Sequence, residues 1–211
     1  MPVFERAFAT LPLVAVLRGV TPDEVLPIAD QLVDAGFTLI EVPLNSPDPF
    51  ASIAKLVRHR PPHVAVGAGT VLTPENAGRL AAIGAELLIT PNTDPEVIRA
   101  GVRAGLATMI GCMTPSEALS ALRNGAAALK LFPAARLGPA YIKDVRAVLP
   151  KDAKVVALGG IGIPEMAEYR AAGYDGFGFG SNLYKAGRSA AEVGAIARDI
   201  VAEWKRIEAN G

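Results

Sequence analysis

Eight short aliphatic runs, their even spacing, and a recurring punctuation of helix starts and glycine stops predict one fold class for residues 1–211. It is an α/β fold, a single-domain (β/α)8 TIM barrel. The runs are Leu13 to Leu17, Leu39 to Leu44, Val64 to Val71, Leu87 to Thr90, Ala107 to Cys112, Ala128 to Phe132, Val155 to Leu158 and Gly176 to Gly180. Each is nearly continuous in apolar or small residues, the pattern of strands covered on both faces in a parallel sheet. Their starts lie roughly 20 to 26 residues apart, the length of a strand, a helix and two short loops.

Between the runs, Thr21-Pro22-Asp23-Glu24 and Thr114-Pro115-Ser116-Glu117 read as capping boxes. In each, Thr caps the helix, Pro takes the first helical position, and Glu reaches back to a free N–H. Thr73-Pro74, Asp94-Pro95 and Ser189-Ala190-Ala191-Glu192 are variants of the same signal. Gly36, Gly84, Gly105, Gly125 and Gly173 stand where the helices should stop, because glycine takes the left-handed terminal conformation without steric cost. An eightfold repeat could also open into a doubly wound sheet. The stretch after the first run, Leu17-Arg18-Gly19-Val20-Thr21, lacks the G-x-G-x-x-G of that fold. The last helix, about Ala190 to Ile207, is predicted to be the longest.

Composition excludes several functions. With 21 basic and 21 acidic residues there is no net field to steer the protein to nucleic acid or anionic lipid. Cys112 is the single cysteine, so the chain can form no internal disulfide or thiolate zinc cluster and reads as cytoplasmic. The apolar run behind Arg6 ends in Arg18-Gly19 rather than a cleavage site, and no stretch approaches the roughly 18 apolar residues of a membrane span. No metal site and no cofactor are expected. His59 and His63 precede the third run, at the end of the barrel away from catalysis, and Cys112 reads as packing.

A barrel of this kind places its active site at the C-terminal ends of the strands. Lys130 is the sharpest signal there: it alone among seven lysines lies within an apolar run, in Ala128-Leu129-Lys130-Leu131-Phe132. Desolvation lowers an ammonium pKa and makes the neutral amine, a Schiff-base nucleophile, accessible near neutral pH. Glu41 interrupts the second run in the same way, and an unpaired buried carboxyl has its pKa raised toward a proton-shuttling range. A plain Glu41–Lys130 ion pair is the other reading of the same two residues. Gly159-Gly160-Ile161-Gly162 and Gly178-Phe179-Gly180-Ser181 follow the last two runs, where bare backbone N–H groups commonly hold a phosphate. Arg18, ending the first run, suits a carboxylate.

These residues resemble a family. Val16-Leu17-Arg18-Gly19, Ile40-Glu41-Val42-Pro43-Leu44-Asn45-Ser46, Val66-Gly67-Ala68-Gly69-Thr70-Val71, Ile89-Thr90-Pro91-Asn92 and Gly111-Cys112-Met113-Thr114-Pro115 are motifs in register with it. So are Leu129-Lys130-Leu131-Phe132-Pro133, Leu158-Gly159-Gly160-Ile161 and Gly180-Ser181-Asn182-Leu183-Tyr184. From about Pro12 to Gly187 the chain resembles the small class I aldolases of the Entner–Doudoroff type, which act on 2-keto-3-deoxy-6-phosphogluconate or -galactonate. The resemblance implies reversible cleavage of a phosphorylated keto-deoxy sugar acid to pyruvate and D-glyceraldehyde 3-phosphate by a homotrimer. It makes Lys130 the Schiff-base lysine and Glu41 the acid/base. Arg18 and Thr70 would hold the pyruvoyl carboxylate, Pro91 and Phe132 would line the pocket, and Gly159, Gly160, Gly180 and Ser181 would receive the phosphate.

The phosphogluconate branch typically reads E-V-T-L-R-T on the second strand and T-G-G on the seventh. Here Pro43, Asn45 and Leu158 stand in place of that Thr, that Arg and the Thr before the glycine pair, as in the phosphogalactonate branch. Apolar Leu158 cannot hydrogen-bond a C4 hydroxyl, so it is expected to relax the preference at that carbon. The alternatives to a phosphogalactonate aldolase are the phosphogluconate activity as the main one, a phosphosugar isomerase or epimerase, and a non-catalytic phosphometabolite-binding barrel.

Overall fold

A computed structural model describes residues 1–210. The chain opens with a helix that its sequence did not announce, α1 (Val3–Thr10), and then alternates strand and helix. In order follow β1 (Leu13–Val16), α2 (Val25–Ala35), β2 (Leu39–Pro43), α3 (Pro49–His59), β3 (Ala65–Gly69), α4 (Pro74–Ala82), β4 (Leu87–Ile89) and α5 (Pro95–Arg103). The second half comprises β5 (Ala107–Cys112), α6 (Pro115–Arg123), β6 (Ala128–Leu131), α7 (Ala134–Leu137), α8 (Tyr141–Arg146), β7 (Val155–Leu158), α9 (Met166–Ala172), β8 (Gly176–Phe179) and α10 (Ala190–Ala209). All eight strands are parallel, each pairs with the next, and β8 pairs with β1, so the sheet closes as a (β/α)8 barrel. None of the described helices is long and apolar enough to cross a membrane.

The local signals act largely as expected. Thr114 and Ser189 form complete capping boxes with Glu117 and Glu192, and the Asp94 carboxylate accepts from the amides of Glu96 and Val97. Gly36 and Gly173 end α2 and α9 in the left-handed region at φ 109° and 119°. Thr21 departs from the prediction. Its amide and hydroxyl both bond Glu24, but the following residues form a turn and α2 begins only at Val25. Thr73 caps α4 by position without a side-chain hydrogen bond. The strands are shorter than several aliphatic runs, because Leu17, Leu44, Val71, Thr90, Phe132 and Gly180 have already turned into the loops above the barrel. Between β6 and β7 the connection carries two short helices, α7 and α8, that periodicity does not resolve.

Side chains alternate along each strand, so half face the surrounding helices and half the barrel axis. The outer set joins the helices in the larger core; Ala15, Ile40, Val42, Val66, Leu88 and Leu129 belong to it. The inner set, with Val14, Leu39, Ala65, Leu87, Met109, Ala128 and Val156, forms a second core that includes Phe4, Ala7 and Phe8 of α1. Helix α1 thus lies across the N-terminal mouth of the barrel. The Thr38 hydroxyl donates to the Ala7 carbonyl at 2.9 Å, and Lys154 pairs with Glu5 at 3.1 Å, tying the plug to the starts of β2 and β7.

Candidate active site

Continuing the inner alternation upward places Glu41 two residues above Leu39 and Lys130 two above Ala128, both pointing into the barrel beneath its open end. The two side chains are 2% and 5% exposed, a degree of burial that leaves water little part in solvating either charge. They are not a contact ion pair: among the described residues, every N···O approach within 4.0 Å involves other groups. One carboxyl oxygen of Glu41, Oε2, has no hydrogen-bond partner. Space for this carboxyl exists because residue 69 is glycine; a Cβ there would lie 1.9 Å from Oε2.

Burial raises the Glu41 pKa to about 7, outweighing the attraction of the Lys130 ammonium, the Arg18 guanidinium and the Gly69 amide for the carboxylate. Burial likewise lowers the Lys130 pKa, against the opposing pull of Glu41 and with a further push from Arg18. The Lys130 Nζ stands 5.0 Å from the centroid of the Phe132 ring. A desolvated amine beside a carboxyl that exchanges its proton near neutrality is suited to adding to a carbonyl and moving the protons that addition requires.

At the same end of the barrel lies an open cavity of about 580 Å³, whose lining includes neither Lys130 nor Glu41. Its wall contains Arg18, Phe132, Leu158, Gly159, Gly160, Gly180 and Ser181, seven of the residues singled out from sequence. Arg18 lies two residues past the end of β1, a correction to its expected place as the last strand residue. Its Nη1 donates to the Asn45 Oδ1 at 2.8 Å, which joins the loops after β1 and β2. Leu158 ends β7 at 7% exposure and covers Gly178, where a Cβ would meet its Cδ1 at 2.2 Å. Thr70 and Pro91 follow β3 and β4 at the same end of the barrel but are not in the cavity wall. Thr70 takes φ 54°, a left-handed conformation rare for a β-branched side chain.

The loops after β7 and β8 present the expected bare backbone. Gly159 and Gly160 have φ of 101° and 83°, and a Cβ on Gly160 would come 2.7 Å from Ala135. The amides of Gly159, Gly160, Ser181 and Asn182 donate to no acceptor among the described residues. The Asn182 Nδ2 donates to the Ile161 carbonyl at 2.7 Å, fastening the two loops together. Sequence reasoning missed Val16, Tyr184, Lys185 and Ala186 in the cavity wall. Val16 and Tyr184 fall inside the quoted motifs without a role of their own, and Lys185 and Ala186 lie just past the last of them. Cys112 is buried and its thiol is pushed up to about 12, as befits packing, and His59 lies away from this mouth at the end of α3, against Asp30. Among the described residues no group of three or more His, Cys, Asp or Glu could hold a metal ion.

A family model described as KDPG and KHG aldolase matches residues 4–198. The chain belongs to the KDPG and KHG aldolase family. Among curated members of this aldolase family, it is 48% identical over 193 residues to a probable 2-dehydro-3-deoxy-6-phosphogalactonate aldolase of Rhizobium meliloti, covering 92% of this chain and 89% of that one. It is 45% identical over 195 residues to the 2-dehydro-3-deoxy-6-phosphogalactonate aldolase of Escherichia coli K12, covering 92% and 95% of the two chains. A solved structure described as native KDPGal superposes with a TM-score of 0.93 at 44% identity, covering 94% of this chain and 97% of that one.

Proposed function

We propose that this aldolase-family chain is a class I lyase that reversibly cleaves 2-dehydro-3-deoxy-6-phosphogalactonate to pyruvate and D-glyceraldehyde 3-phosphate. The observation that carries the reading is the buried, unpaired arrangement of Lys130 and Glu41 at the same end of the barrel as a glycine-lined cavity. The neutral Lys130 amine adds to the C2 carbonyl; Glu41 in its acid form gives a proton to the carbinolamine hydroxyl, which leaves as water, so that the iminium forms and Glu41 becomes a carboxylate. Glu41 takes the proton of the C4 hydroxyl as the C3–C4 bond breaks and its electron pair passes into the iminium, leaving an enamine and the aldehyde. Protonation of the enamine at C3 and hydrolysis of the resulting iminium free pyruvate and restore Lys130.

In this reading Arg18 and Thr70 hold the pyruvoyl carboxylate, and Pro91 and Phe132 flank the reacting carbons. Gly159, Gly160, Gly180 and Ser181 receive the phosphate at their free amides. Asn45, through its bond to Arg18, and Leu158, at the cavity wall, set the preference at C4. The apolar Leu158 side chain favours acceptance of the phosphogluconate epimer as a second substrate. The chain acts as one catalytic barrel in a cytoplasmic homotrimer.

The test has two parts. Pyruvate plus sodium borohydride should add the mass of a reduced pyruvyl group at Lys130, and a coupled pyruvate-release assay should turn over both C4 epimers, the galactonate form faster. Absence of the adduct overturns imine chemistry and leaves an isomerase, an epimerase or a binding protein. A faster gluconate epimer overturns the substrate assignment alone.

A further inference from the structure

The phosphate end of the cavity is built from backbone, and a phosphate dianion held there would still lack a counter-charge. Among the described residues, two cationic side chains line the cavity, Arg18 and Lys185. Arg18 is electrostatically coupled to Glu41 and Lys130 and hydrogen-bonded to Asn45, which commits it to the reacting end. Lys185 lines this cavity with Gly160, Ser181 and Asn182 and lines an adjoining one with the same three residues. No carboxylate lines this cavity, and among the described residues the Lys185 ammonium has neither an ion-pair partner nor a hydrogen-bond acceptor.

The loop fixes where Lys185 can reach. The amides of Leu183 and Tyr184 both donate to the Gly180 carbonyl at 2.9 Å, forming one helical turn. Lys185 follows this turn directly, and both cavities at this end of the barrel are lined by Lys185 together with Ser181. Leu183 and Tyr184 are 0% and 2% exposed, which anchors the backbone from inside. Arg188 Nη1 donates to the Leu183 carbonyl at 2.7 Å and holds the exit of the turn. The base of Lys185 is therefore rigid while its ammonium is free. An adjoining cavity of about 560 Å³ also touches Lys185; its one carboxylate, Glu165, is already engaged by the Gly162 amide at 2.9 Å.

We propose that Lys185 is the cation of the phosphate subsite, a substrate-binding residue that closes onto the dianion and neutralises charge that the Gly159, Gly160 and Ser181 amides can only solvate. A lysine suits this place, since a compact point charge on a flexible stem can meet a tetrahedral dianion from several directions. The proposal rests on the aldolase reading above for the identity of the ligand, but not for the presence of an anion site.

The experiment compares the wild type, Lys185→Gln and Lys185→Arg. Titration with inorganic phosphate reads the subsite without turnover; Lys185→Gln should weaken it about tenfold, as expected for one charge-assisted contact, and Lys185→Arg should restore most of the affinity. In the cleavage assay, kcat/KM of Lys185→Gln should fall about tenfold further for the phosphorylated substrate than for the same acid without its phosphate, through KM. Borohydride trapping of pyruvate is run on all three proteins. Phosphate affinity that does not change in Lys185→Gln, or that is absent in the wild type, overturns the proposal. So does an equal loss with and without the substrate phosphate, which marks a structural role. A failure to trap pyruvate while the phosphate effect persists refutes the aldolase reading and leaves the Lys185 anion site standing.

Discussion

Glu41 sets the protein's response to pH. Its carboxyl in the folded state titrates near 7, above the ordinary value of 4.5, so the native protein holds this proton more tightly than the unfolded chain does. The native state is consequently least burdened below pH 4.5, loses stability as pH rises toward 7, and carries the whole cost above it. Glu41→Gln removes this dependence. Its Tm relative to the wild type should rise by a few degrees between pH 5 and pH 7.5, while kcat falls by about two to four orders of magnitude. Thermal melts that run parallel across this range contradict the assignment. Thr70 offers a second test, since its left-handed backbone stores roughly 1–2 kcal/mol for a residue with a Cβ. Thr70→Gly should leave Tm level or slightly higher yet raise KM, and Thr70→Val, which keeps the strain and loses the hydroxyl, should leave Tm near that of the wild type and raise KM. Lys130 and Glu41 are legible in the sequence because a charge inside an aliphatic run contradicts its surroundings. The strain at Thr70 and the Arg18–Asn45 bond are not, because both depend on backbone torsions and on loops 27 residues apart meeting in space.

At the scale of elements, sequence is most informative where a single residue carries the whole signal. The boxes at Thr114 and Ser189 and the glycine stops at 36 and 173 work through one or two local hydrogen bonds or one torsion, and they mark the helices correctly. Thr21 carries the same letters and makes the same hydroxyl bond to its Glu, but the Glu24 amide donates to the Thr21 carbonyl rather than to its hydroxyl, which closes a turn instead of a cap, a competition that spacing does not decide. Helix α1 escapes for another reason. Its eight residues present only Phe4, Ala7 and Phe8 to the interior, too few turns for a period to stand out. These three residues nonetheless belong to the inner core, and Phe8→Ala should destabilise the protein by roughly 3 kcal/mol or more in denaturant melts. An exposed α1 would give a loss within about 0.5 kcal/mol. Glycines inside the strands act similarly unseen: Gly67 and Gly111 read as apolar filler, yet a Cβ on Gly67 would come 2.0 Å from the Leu87 carbonyl of the neighbouring strand, and one on Gly111 2.2 Å from the Pro91 backbone in the loop after β4.

The molecule as a whole is a tube shut at one end. Phe4, Ala7 and Phe8 stopper the N-terminal mouth, aliphatic side chains fill the bore, and the cavity at the C-terminal mouth is the way in. One doorway imposes a queue. In the proposed reaction the pyruvyl fragment is bonded to Lys130, and the phosphorylated fragment lies toward the glycine loops of the open mouth. The aldehyde must leave before water can descend to release its partner, and in the synthetic direction pyruvate must enter first. Product inhibition will record that order: pyruvate, returning to the empty enzyme, should compete with the sugar acid, whereas glyceraldehyde 3-phosphate should inhibit noncompetitively. The opposite pattern would contradict covalent retention of the pyruvyl fragment at Lys130. A helix absent from the sequence reading and remote from the chemistry therefore leaves the two products one shared way out.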